Sequence, residues 1–378
     1  MRYSFILLTL ASLTACASQP QMLPLQRAPL AVQARNVPNM APTPVPVPDF
    51  ATLPAPPDNP VTQGKVELGF RLWFEPRLAA NNRMTCATCH NHTIGFANGQ
   101  RVATGVTGAQ GRRNSPTIYS LLHQRESFLD GRARTLEEQA LMPITDPVEM
   151  NETLDNVERK LAAVPYYAQK FQEVFGTPPQ RDGIAKALAS FERALVVGQT
   201  PYERFVAGDQ TAMNPAQQRG MNLFFSSRTR CAACHRGPTF TDRMFNNVGW
   251  GMDQPNPDLG RFEVTKMPWD RGSFKTPTLI NVALTGPYMH DGRADSLEAV
   301  IEHYNRGGIP NEALDPRIRP LGLNAQEKAD LVAFLRALSA PDNLRSLGKL
   351  PGIHLSAPQL EGFLSGAAIP PMPVSRAQ

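Results

Sequence analysis

Histidine occurs only 7 times and cysteine 5 times in 378 residues, so a recurring pattern that uses both is not an accident of composition. Long apolar runs are missing beyond the extreme N-terminus. No later segment reaches the roughly 20 consecutive apolar residues of a membrane-spanning helix. Alternation of apolar and polar residues is also rare, which argues against a sheet-rich fold, whereas helical spacing is frequent. The formal charge of +5 is mild for this length. It could assist docking to an acidic partner, but such a charge is ordinarily a solvated surface.

What the chain does hold is Cys86-Ala87-Thr88-Cys89-His90 and a second copy, Cys231-Ala232-Ala233-Cys234-His235. C-x-x-C-H is the attachment signature of c-type haem. The two thiols add across the porphyrin vinyl groups, and His90 or His235 is placed to bind the iron from one side. Structural zinc pairs usually lie closer together in sequence, and a thioredoxin-like dithiol does not need the histidine. Two covalently bound haem c groups are therefore expected.

Arg2, the apolar run Phe5–Leu13 and the small residues after it read as a secretory signal over residues 1–15. Leu13-Thr14-Ala15-Cys16 looks like a lipobox, at which bacterial lipoproteins are cleaved and acylated. Cys16 is the fifth cysteine, and a spare thiol in an exported protein is unusual. The alternative is an ordinary signal that happens to contain a cysteine. The expected location is the periplasm, with a lipid anchor in the membrane, the outer one by preference; nucleic acid is not a sensible partner there. Residues 16–60 are proline-rich and read as an extended tether. Residues 346–378 form a tail rich in Pro and Gly, to which no role is assigned.

Three landmarks recur in the same order. Leu68–Phe74 and Arg219–Phe225 precede the two haem motifs. Ser115-Pro116-Thr117-Ile118 is answered by Thr276-Pro277-Thr278-Leu279, and Asp130-Gly131-Arg132 by Asp291-Gly292-Arg293. The fold expected is mainly α, with two tandem cytochrome c-like haem domains from an internal duplication, over residues 61–210 and 211–345. Each closes on an amphipathic helix, Ile184–Leu195 and Ala325–Leu338.

The repeat also serves as a ruler for the far side of each iron. Asp295 reads as the N-cap of a helix, with Glu298 at its third position, ending at Gly307-Gly308. Leu297, Val300, Ile301 and Tyr304 share one stripe, and His303 sits about 100° away. Tyr304 is thus a candidate sixth ligand of the second haem, ahead of His303, Met289 and His290; a hydrogen-bonded core tyrosine is the plain alternative. The equivalent position in the first half is Pro143, which has no donor atom and should break the helix. Thr93–Asn114 contains no His, Met, Lys, Tyr or Cys. The first haem therefore lacks an obvious second protein ligand, and an open iron face binds small molecules. Gln139 and Glu149 follow on the segment that should cover it, where a carboxylate could move the protons of a peroxide.

From about Val61 to Leu338 the chain resembles the bacterial di-haem cytochrome c peroxidases and the MauG group. The stretches that carry the likeness are Leu68–Pro76, the two haem motifs, Arg113–Thr117, Asp130–Ala140, Pro147–Met150 and Asn281–Gly292. The resemblance implies that Gln139 and Glu149 are the distal glutamine and catalytic glutamate. It also implies a calcium ion between the haems, on Asn114 and the backbone oxygens of Thr285 and Pro287. Val106 stands where ordinary peroxidases carry a loop histidine, Tyr304 where they carry methionine, and Leu129 where the family has a tryptophan between the haems. The first two departures point to the MauG-like branch; the third leaves charge sharing to another route.

The function expected is a di-haem oxidoreductase that uses hydrogen peroxide to oxidise a side chain of a periplasmic partner protein. The alternatives are peroxide detoxification with a small cytochrome or cupredoxin donor, and a plain electron-transfer cytochrome.

Overall fold

In the computed structural model the described residues are 53–340, apart from 120, 122–125 and 196–199. The expected signal, Cys16, most of the tether and the C-terminal tail lie outside them. The described chain is mainly helical, with one short antiparallel ribbon.

Helix α1 (Gln63–Trp73) begins at Thr62, whose hydroxyl accepts from the Lys65 amide; Val66, Leu68, Phe70, Leu72 and Trp73 on it are buried. The first cysteine pair forms the single turn α2 (Cys86–Cys89). Helix α3 (Leu136–Thr145) is capped by Thr135, which accepts from the Glu138 amide at 3.0 Å, while Glu138 reaches back to the Arg134 amide at 2.7 Å. Helices α4 (Leu154–Ala162) and α5 (Pro165–Phe175) pack on each other, and α6 (Arg181–Ala194) crosses α1. Next come α7 (Pro201–Val206) and α8 (Pro215–Phe224); α8 opens with Pro215 and a reciprocal cap between Asn214 and Gln217. Strands β1 (Phe245–Asn246) and β2 (Phe274–Lys275) flank α9 (Phe262–Thr265) and pair with Phe245 opposite Lys275. Helix α10 (Leu297–Arg306) packs on α11 (Ala325–Ala337), which crosses α8.

The duplication is legible in the contacts. A Cβ on Gly69 of α1 would lie 2.0 Å from the Ala187 carbonyl oxygen and 2.8 Å from the Phe191 Cβ. On Gly220 of α8 it would lie 1.9 Å from the Asp330 oxygen and 2.9 Å from the Phe334 Cβ. Each helix pair therefore crosses at a glycine, against a carbonyl and a phenylalanine four residues further on. The D-G-R turns repeat as well: Ser127 bridges Ala133, and Tyr288 bridges Ala294. Phe128 and Met289 hold the same left-handed conformation, at φ 66° and 70°.

Charged side chains join the two halves. Arg113 forms a two-pronged bond with Asp258 at 2.7 and 2.8 Å and also pairs with Asp130. Arg261 reaches Glu126 at 2.6 Å and the Asp130 and Gly131 carbonyls. Arg113 and Asp130 are both nearly buried, so this network replaces water with fixed partners.

Three local expectations are corrected. The cap of α10 is Ser296, accepting from the Ala299 amide at 3.1 Å, so Glu298 falls at the second position. Pro143 does not break α3; it lies in the final turn, and the helix continues to Thr145. The end of the expected tether is part of the body: Leu53 is buried, and Asn59 is fully buried, bonding Glu137 at 2.6 Å and Lys65 at 3.0 Å.

Candidate haem sites

All four motif cysteines are half-buried and none is in a disulfide. Burial pushes each thiol up, to about 11 for Cys89, Cys231 and Cys234, so they are not primed as thiolates. The histidines are fixed alike in both halves. His90 directs Nδ1 at the Phe96 carbonyl, 3.1 Å away, and His235 directs Nδ1 at the Phe240 carbonyl, 3.0 Å away. Phe96 and Phe240 hold the same left-handed backbone conformation, φ 56° and 51°, which brings those carbonyls onto the rings. Burial lowers both imidazole pKa values, against bonds to these carbonyls and to those of Pro116 and Pro277. A neutral imidazole with Nδ1 spent on backbone leaves Nε2 to bind iron. Paired thiols and an oriented neutral histidine are the donor set of haem c, and the residues present fit that group.

The halves differ in what faces these motifs. Burial raises the Tyr304 hydroxyl pKa, and the Cys234 and Cys231 sulfurs add to the shift. The Tyr304 hydroxyl therefore lies near the second cysteine pair, and its side chain makes no hydrogen bond among the described residues. The helix-phase expectation is corrected: His303 is buried, whereas Tyr304 is half-buried. His303 is occupied, however, since its Nε2 lies 2.9 Å from the Val248 carbonyl and its ring packs edge-on to Trp250. Met289 belongs to the D-G-R turn, and His290 stacks on Phe274 with ring centres 3.8 Å apart. Of these rivals, His303 is the one whose ring nitrogen is taken by a hydrogen bond.

In the first half, Glu149 is half-buried and close enough to Cys86 and Cys89 to raise both thiol pKa values. Burial pushes its own carboxyl up, Asp146 adds, and Arg132 opposes. The Glu149 carbonyl accepts from the Val106 amide at 2.8 Å. Only a glycine fits at 105, where a Cβ would lie 1.9 Å from the Val148 oxygen. This pins the 105–106 loop to the Glu149 segment, with the aliphatic Val106 packed on the core. Gln139 is half-buried on α3, one turn after its cap. A cavity of about 760 Å³ lies beside Cys89, walled by Asn98, Gln100, Arg101 and Arg112 among others.

The residues expected on calcium are less clearly gathered. The Asn114 amide nitrogen donates to the Gln100 and Arg101 carbonyls, and its backbone N–H to the His290 carbonyl. Thr285 bonds Val282 through its hydroxyl. Among the described residues, no group of three or more His, Cys, Asp or Glu side chains could hold a metal ion.

Sequence reasoning missed Glu192. It is 3% exposed, its Oε2 has no hydrogen-bond partner, and it raises the Cys86 pKa. The repeat held the signal: Phe191 matches Phe334, so Glu192 stands where the second half has Leu335.

Two haem c sites in a duplicated helical fold define a di-haem c-type cytochrome. Residues 63–211 match the di-haem cytochrome c peroxidase family, CCP_MauG. The chain is 40% identical over 304 residues to the methylamine utilization protein MauG of Methylorubrum extorquens, covering 79% of this chain and 85% of that protein. It is 33% identical over 357 residues to the cytochrome-c peroxidase IdrP1 of a Pseudomonas species, covering 86% and 94%. Among solved structures it is similar to a MauG-like protein associated with microbial copper homeostasis, with TM-score 0.72, 32% identity and coverage of 77% and 94%. The chain belongs to the di-haem cytochrome c peroxidase and MauG family of oxidoreductases.

Proposed function

We propose that this is a MauG-like enzyme that spends hydrogen peroxide on oxidising a side chain of a partner protein. The carrying observation is the difference between the halves: a tyrosine whose hydroxyl makes no hydrogen bond among the described residues lies near the second cysteine pair, while the first half has Pro143 at the equivalent place. When bound, the haems supply iron for peroxide cleavage and for holding oxidising equivalents. His90 and His235 would each hold an iron through Nε2, and Tyr304 would supply its hydroxyl oxygen to the second haem's iron.

Glu149 takes the proton from the nearer peroxide oxygen and returns it to the departing one. Burial and Asp146 raise its pKa, which favours its holding the proton between the two transfers. Gln139 orients the peroxide, and Val106, with no donor atom, leaves the first site open. A tyrosinate is a hard anion that favours the oxidised metal, which suits storage of oxidising power better than uptake of electrons from a cytochrome. On this reading residues 61–210 are the peroxide-reactive domain and 211–345 the electron-transfer domain. The protein is exported and anchored through acylated Cys16. A calcium ion on Asn114, Thr285 and Pro287 rests on family resemblance alone.

Tyr304→Met tests the reading, because a thioether should raise the second potential. The expected result is a higher potential for that site in a redox titration, with an unchanged first site. Equal potentials in wild type and variant would mean that Tyr304 is only a core residue. Peroxide turnover that requires a small cytochrome or cupredoxin donor would favour detoxification.

A further inference from the structure

We propose that Trp250 is the redox relay of the second half, the residue through which oxidising power leaves the Tyr304 side of the fold. This rests on the reading above. With Leu129 at the place of the family tryptophan, the question is which oxidisable ring this chain uses instead. It has three tryptophans. The Trp250 ring lies 5.0 Å from that of His303, and the His303 ring lies 5.6 Å from that of Tyr304. Trp250 itself is half-buried, placing its ring between the interior and solvent.

The decisive feature is a proton acceptor. Trp250 donates Nε1–H to the Asp291 Oδ1 at 2.8 Å. Burial alone would raise the Asp291 pKa, but the indole N–H and the Arg293 guanidinium hold it below the usual range. Arg293 also lies 5.9 Å from the Trp250 ring, so a positive charge left on the indole would be disfavoured. Oxidation is therefore coupled to proton movement. One electron leaves the indole toward Tyr304 and fills one of the two oxidising equivalents that hydrogen peroxide brings. The Nε1 proton passes to Asp291. An electron from the outside substrate then restores the ring, and the proton returns.

The other two tryptophans lack this arrangement. Trp73 lies 5.7 Å from the His90 ring, but its buried Nε1 has no hydrogen-bond partner to take the proton. Trp269 is 53% exposed, and no aromatic contact links it to either haem motif among the described residues.

The test uses the haem-loaded protein, treated with hydrogen peroxide without donor or substrate. The three tryptophans fall in separate tryptic peptides, 72–77, 244–261 and 267–271. Kynurenine-type oxidation, located by fragment ions because Met244 and Met252 share the middle peptide, should concentrate on Trp250. Rapid-freeze electron paramagnetic resonance should show a radical whose lines narrow with ring-deuterated tryptophan, vanish in Trp250→Phe and persist in Trp269→Phe. Peroxide consumed with Trp250 unmodified and the radical retained in Trp250→Phe would overturn the relay and spare the enzyme reading. No peroxide consumption at all would overturn both. The peptide measurement needs only wild type, so it decides for or against the relay even where a variant folds poorly.

Discussion

Replacing Glu192 by Gln should change how stability depends on pH. The Glu192 carboxyl is 3% exposed in α6, with Oε2 unbonded. Burial, opposed by Arg193 and aided by Glu137, pushes its pKa from 4.5 to about 8. Between those values the unfolded chain is ionised at this residue while the folded chain keeps the proton. Folding then takes up a proton, and stability must fall as pH rises. The penalty is absent below about 4.5, grows through the interval and is complete above about 8. One pKa unit corresponds to about 1.4 kcal/mol, so the span caps the effect at roughly 5 kcal/mol. Glu192→Gln keeps the shape and removes the ionisation. Urea unfolding of both proteins from about pH 4 to 9 measures the difference, in which all other titrations cancel. The variant should gain on wild type steadily toward about pH 8, by a few kcal/mol, and the gap should then level off. Parallel curves across the whole range would refute the burial argument.

Glu149→Gln should leave haem attachment intact and slow peroxide consumption by about 100- to 10,000-fold, the usual worth of general acid–base assistance; a change below about threefold would make the carboxylate structural. Gly69→Ala forces a Cβ to within 2.0 Å of the Ala187 oxygen. Overpacking of this kind costs about 1–3 kcal/mol or more, above the roughly 1 kcal/mol that alanine gains in a helix. A variant as stable as wild type in urea would disprove the tight crossing, and Gly220→Ala should behave alike. Cys16→Ser should release the protein from membranes with both haems in place, whereas equal partition of wild type and variant would remove the lipid anchor.

The haem motifs could be read from sequence because attachment uses five contiguous residues, and contiguous chemistry needs no fold to be recognised. Helix ends were nearly as accessible. The closing helices expected at Ile184–Leu195 and Ala325–Leu338 form as Arg181–Ala194 and Ala325–Ala337, since amphipathic spacing and caps act within a few residues. The same locality explains the slip at α10: Asp295 and Ser296 are both competent caps, and only backbone direction selects Ser296.

The repeat marked Tyr304 against Pro143, but it could not say what becomes of His303. Sequence phase put His303 off the buried stripe; Val248 and Trp250, more than fifty residues away, bury it and occupy its ring. Glu192 is similar. Its place in α6 was plain, while its burial without a partner follows from the crossing of α6 on α1 and from Glu137 turning to Arg193 and Asn59 instead. Covalent motifs, caps and periodicity are properties of neighbouring residues, so the sequence alone determined them. Which polar group is paired, buried or left facing a site depends on segments brought together from far along the chain, and only the tertiary structure decided that.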